Sequence, residues 1–200
     1  MTNDPPIFDP AESLAIIKSM IETTKHAISD SSHYFLLWGW TTMLGCLTQY
    51  VLMAVVKYEH HYYAWFITPV ALLFHVVFLI RDSKKQKVKT FVSEANSYLW
   101  TGVGFSFLIL AIIFSKIGWQ YCFPFYILFY GIGTSVSGSL LRFKPLIAGG
   151  IACFVLAGLA VYLSYENQIL IASVAILISY IIPGHLLRNS FKQKQQVVFA

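Results

Sequence analysis

Charge is what this sequence has least of: 12% of its 200 residues are Asp, Glu, Lys or Arg, against 57% hydrophobic residues and a mean hydropathy of +0.65. Soluble domains carry about 25% charged residues, so a surface facing water throughout is excluded and the solvent is lipid. Cysteine is also scarce. Cys46, Cys122 and Cys153 are odd in number and far apart, which offers neither a disulfide framework nor a CxxC metal site. The glycine-rich stretches GIGTSVSG and GGIACFV lack the GK[ST] that holds phosphate, so no nucleotide loop is present in them. His60 and His61 are adjacent and cannot share a helical face, and only Glu59 lies beside them, which makes a poor zinc set. No metal, cofactor or catalytic set is expected, and the chain reads as non-enzymatic.

Acidic and basic residues are missing from the middle of every long apolar run. Charge in hydrocarbon is costly and is kept for ion or proton movement, so its absence argues against pumps. His75 alone is titratable and well inside a run. Among Leu72, Phe74 and Phe78 it reads first as a neutral hydrogen-bonding group between helices. The net charge of +5 does not point to nucleic acid, because the Lys and Arg fall between apolar runs rather than along one polar face.

Six runs are long enough for a hydrocarbon core, near 34–56, 62–81, 97–117, 120–141, 145–165 and 168–187. Lipid offers no partner to backbone polar groups, so the runs are helices, and the fold class is an all-α, polytopic transmembrane bundle. The first run is too long for a signal h-region and is expected to stay in the mature chain. Of the 14 Lys and Arg, only Lys57 and Lys116 fall on one side of the alternation. The positive-inside rule therefore places both termini in the cytoplasm. This gives a cytoplasmic segment 1–32, a six-span domain 33–188 and a cytoplasmic tail 189–200. All five tryptophans, Trp38, Trp40, Trp65, Trp100 and Trp119, lie near run ends and are expected to anchor at the headgroups.

Ahead of the first span, Asp9-Pro10-Ala11-Glu12 has the order of a helix start, with Asp as N-cap and Pro at the first helical position. Leu14, Ile17, Ile21 and Ile28 then recur at helical spacing, giving an amphipathic helix over about 10–28. Its charges, Glu12, Glu22, Lys18 and Lys25, cancel, which favours docking on protein over binding anionic lipid. That docking is either a brace against the bundle or a contact with a cytoplasmic or membrane protein partner. In the second connection, Lys84, Lys85, Lys87 and Lys89 are expected to meet lipid headgroups. Val88, Phe91, Val92 and Ala95 carry helical periodicity, so the third helix should begin before its span.

The fourth and fifth runs are rich in small residues, with pairs such as Gly131 with Ser135 and Ala148 with Ala152. These allow close helix packing and pairing into a homodimer. The sharper alternative is a small transporter or channel for a neutral or lipid-like solute, acting as a dimer, with His75, Ser135 and Ser137 lining the path and GIGTSVSG locally unwound. Serine on the fourth span with His185 on the sixth invites comparison with rhomboid-type proteases, but the pair falls near the cytoplasmic side and no oxyanion site accompanies it.

FLLWGW opening the first span, FYGIGTSVSG, RFKPLIAGG and ISYIIPGHLLR closing the last resemble an uncharacterised family of small six-span bacterial inner-membrane proteins. The resemblance implies a bacterial inner-membrane setting and this topology, and it assigns no residue a role. The leading expectation is a regulatory or scaffolding membrane component acting through cytoplasmic contacts.

Overall fold

A computed structural model describes residue 14, residues 32–85 and residues 91–189. Ile17, Ile21, Ile28, Lys87, Lys89 and the tail from 190 lie outside the described residues, as do the side chains of Lys84 and Lys85.

Among the described residues the regular structure is entirely helical. We label the helices in chain order. Helix α1 covers 32–50 and runs on into a π-turn, Val51–Val55. Helix α2 starts as a 3-10 segment, His61–Phe66, and continues as α-helix Ile67–Lys85. Then follow α3, Phe91–Ile117, α4, Cys122–Leu140, and α5, Lys144–Ala160. The last, α6, runs over Tyr165–Ile176, through a second π-turn at Leu177–Ile181, and on to 189. Three of these helices are long and apolar enough to cross a bilayer: His61–Arg81, Phe91–Ile117 and Tyr165–Asn189. Helix α3 is already formed at Phe91, ahead of its apolar run, as the spacing of Phe91, Val92 and Ala95 predicts, while Val88 lies outside the described residues.

The buried core has two parts. One gathers Cys46, Phe123, Ile127, Cys153, Ile169 and Ala172 from α1, α4, α5 and α6. The other joins Phe35, Leu146, Ile176 and Tyr180. Helices α2 and α3 are peripheral: Ala71 is the buried apolar residue of α2, and Val103 and Phe114 are those of α3. Many of their other apolar side chains, such as Leu72, Leu73, Phe105, Leu108 and Ile112, are exposed, the inverse of a soluble bundle and the pattern expected where lipid is the solvent.

Close backbone approach holds the inner helices together. A Cβ on Gly150 of α5 would sit 2.6 Å from the backbone nitrogen of Ser135 on α4, and one on Gly138 would sit 2.7 Å from that of Ile147. The neighbouring Gly149 faces the other way, 2.8 Å by the same measure from Cα of Ser179 on α6. So the Gly149-Gly150 pair seats α5 between α4 and α6. Ala148, paired with Ala152 in the sequence reading, is exposed and does not make this contact. Nor does GIGTSVSG unwind. Helix α4 is continuous through it: the Thr134, Ser135 and Ser139 hydroxyls bond back to carbonyls on their own helix, and its glycines lie against Phe154, Trp100 and Ile147.

Candidate functional site

The junction between α1 and α2 departs most from regular helix. After the π-turn, Lys57 takes a left-handed backbone, φ 56°, and α2 then opens with six residues of 3-10 helix. Runs of 3-10 helix beyond three or four residues are uncommon, and π-turns cluster at functional sites. Gln49, near the end of α1 and 2% exposed, organises this segment. The Trp65 indole donates to its Oε1 at 2.7 Å. An indole nitrogen can only donate, so the amide orientation is fixed and Nε2 faces the Tyr165 hydroxyl and His61 Nδ1, each at 3.2 Å. His61 Nδ1 must therefore accept, and in the neutral ring the proton sits on Nε2. One amide thus ties α1 to the start of α2 and the start of α6. Nearby on α6, Gln168 is fully buried; its Nε2 donates to the Leu163 carbonyl at 3.0 Å and its Oε1 has no hydrogen-bond partner among the described residues.

A second polar cluster joins α3 to α4. Ser137, fully buried, donates to Asn96 Oδ1 at 2.6 Å and accepts from Trp100 Nε1 at 3.0 Å. The Trp100 ring lies over Gly133, where a Cβ would come within 2.7 Å of it. Gly133 and Ser137 are four residues apart and share a helix face. The same arrangement recurs at the junction, where the Trp65 ring rests on Gly45 and its N–H reaches Gln49, four residues later. A third indole, Trp38, donates to His75 Nδ1 at 3.2 Å. A buried indole needs room for its ring and an acceptor for its N–H. A small residue followed by an acceptor one helical turn later supplies both.

These contacts correct the expectation that every tryptophan is a headgroup anchor. Trp38, Trp65 and Trp100 are bonded within the bundle, whereas Trp40 and Trp119, 43% and 47% exposed, are the two free to anchor. The residues expected along a solute path also serve different helix pairs. His75 joins α1 to α2, with the Tyr34 ring 5.0 Å away. Ser137 joins α3 to α4. Ser135 donates back to the Ile132 carbonyl at 3.2 Å while its backbone meets Gly150. With Val136, Ser139 and Leu140 it lines a shallow, open hollow on α4. Thr42 and Tyr130, 3.1 Å apart through their hydroxyls, add a further tie between α1 and α4.

No family model, curated protein or solved structure matches the chain. The geometry therefore carries the functional reading alone. It offers interhelical ties made of neutral donors and acceptors, and two imidazoles, His61 and His75, whose acceptor roles depend on their being uncharged. Sequence reading weighed His61 only as a zinc ligand and passed over Gln49. The available signal was a glutamine ending an apolar run just ahead of HHYYAW, a segment dense in hydrogen-bonding rings.

Proposed function

We propose that this protein is a six-span bacterial inner-membrane component with both termini in the cytoplasm, acting without catalysis as a regulatory or scaffolding element through its N-terminal helix. Leu14 carries the reading: it lies on the apolar stripe, is helical, and is 68% exposed. A leucine that the rest of the described chain does not cover is available to a partner, and the cancelling charges around it do not suit an anionic lipid surface. The interior polar groups fit this reading as well, since Gln49, Ser137 and His75 are engaged by other helices of the same chain. Lys57, at the α1–α2 junction, falls on the outer side in this topology, and the basic residues of the α2–α3 connection fall on the cytoplasmic side.

The test is a cross-linked pull-down from native membranes, comparing the full-length protein with an Ile17→Ser, Ile21→Ser, Ile28→Ser variant at matched expression. A stoichiometric partner held by the first and lost from the second is expected. Equal capture by both, or none by either, would refute the role of the stripe and shift weight to movement of a neutral or lipid-like solute, to be assayed by reconstitution.

A further inference from the structure

The α1–α2 junction holds an imidazole in a position that tolerates only one of its charge states. We propose that protonation of His61 releases it from Gln49 and loosens the α1–α2 junction, so that this end of the bundle is a pH-operated latch.

Three ways of absorbing the added proton fail on the geometry. Turning the Gln49 amide would bring its NH2 against the Trp65 N–H, now 2.7 Å from Oε1, and set two donors face to face. Turning the imidazole over sets Cδ2–H, not a nitrogen, against Gln49 Nε2, so the acceptor is lost in that pose too. Sharing the proton with Gln49 Nε2 is ruled out because an amide nitrogen is not an acceptor. The cation therefore loses its bond to Gln49, which is the one tie from His61 to α1 that the geometry gives. His61 is the first residue of the 3-10 segment, so its release frees the segment that follows the left-handed Lys57. The other groups facing the ring do not replace the lost bond. Tyr62 and Tyr165 lie with ring centroids at 6.1 and 6.4 Å, and Tyr165 is already engaged by Gln49. The other ionisable groups of the connection are Lys57, Glu59 and His60, the last bonded to the Tyr62 hydroxyl at 3.0 Å, and Glu166 stands in the first turn of α6. The latch is closed where the imidazole is neutral and open where it is charged. Only the side from which acid acts rests on the topology proposed above.

Hydrogen exchange of amides 56–66, read by mass spectrometry in detergent-solubilised protein and corrected for intrinsic pH dependence, exposes both faces and so tests the latch apart from topology. Between pH 8 and pH 5 protection should fall roughly tenfold, the scale of leaving a buried donor unpaired. His61→Gln, which keeps an acceptor without a charge, should hold protection flat, and His60→Gln should still respond. Trp65→Phe frees the amide to turn its oxygen toward the cation and should shrink the response even if His61→Gln fails to fold. Flat protection in the wild type, an unchanged response in His61→Gln or Trp65→Phe, or loss of the response in His60→Gln would overturn the proposal. A working latch in detergent that ignores external pH in oriented vesicles would instead refute the outward placement of the junction.

Discussion

Replacing Gly150 by Ala tests the packing of α5 against α4. The added Cβ would lie 2.6, 2.7 and 2.8 Å from N, Cβ and Cα of Ser135, where ordinary contact begins at 3.4 Å. The obstacle is backbone rather than the tip of a flexible side chain, so one helix must retreat by roughly 0.5–1 Å. A gap of that size forfeits a quarter to a half of each dispersion contact along the crossing, and overpacking costs about 1–3 kcal/mol. Alanine also gains about 1 kcal/mol of helix propensity, which masks part of the loss. Gly158, on the same helix with nothing within 4 Å, supplies the control, because Gly158→Ala takes the propensity gain without the clash. The difference between the two variants is then about 1–3 kcal/mol, a factor of roughly 5–150 in the ratio of folded to unfolded protein. Equilibrium unfolding in mixed detergent micelles, titrated with a denaturing detergent and followed by far-UV circular dichroism, reads it directly. Equal midpoints for Gly150→Ala and Gly158→Ala would refute the close approach of α4 and α5.

Ser137→Ala removes both the bond to Asn96 and the acceptor for Trp100, and should cost about 1–2 kcal/mol in the same assay, near the upper range for polar contacts between membrane helices. Ser139→Ala, whose hydroxyl bonds only to its own helix, should stay within about 0.5 kcal/mol of wild type, and equal losses from the two would contradict the buried cluster. His75→Ala and Trp38→Phe should each lower stability, and a double-mutant cycle should return a coupling of at least about 0.5 kcal/mol. Strict additivity would show that the bond carries no weight.

The helical class was legible because lipid forces it: apolar runs of about 20 residues admit few other structures. The ends of α2, α4 and α6 fall within about four residues of their apolar runs, and the early start of α3 was written in the spacing of Phe91, Val92 and Ala95. What hydropathy cannot read is which neutral polar residue meets which helix. Gly45 with Gln49 and Gly133 with Ser137 each look like scattered small and polar residues along a run, and only the arrival of a tryptophan from another helix gives the pair its meaning. The tryptophans misled for the same reason. Their nearness to run ends fitted headgroup anchoring, and sequence position alone does not say whether a ring turns inward. The π-turns and the left-handed Lys57 leave no composition signal, since no glycine marks them.

The proposed function rests on a proposed architecture of six spans with both ends inside, and impermeant thiol labelling of intact cells tests that proposal most directly. The three native cysteines, all buried and free, would first be replaced by serine or alanine. Single cysteines would then be placed by Glu59→Cys, Gln120→Cys and Asn167→Cys on one side, and by Lys87→Cys, Arg142→Cys and Lys192→Cys on the other. The account predicts labelling of the first three in intact cells and of the second three only after lysis. Labelling of position 142 or 192 from outside, or protection of 59 alone among the first three, would contradict it.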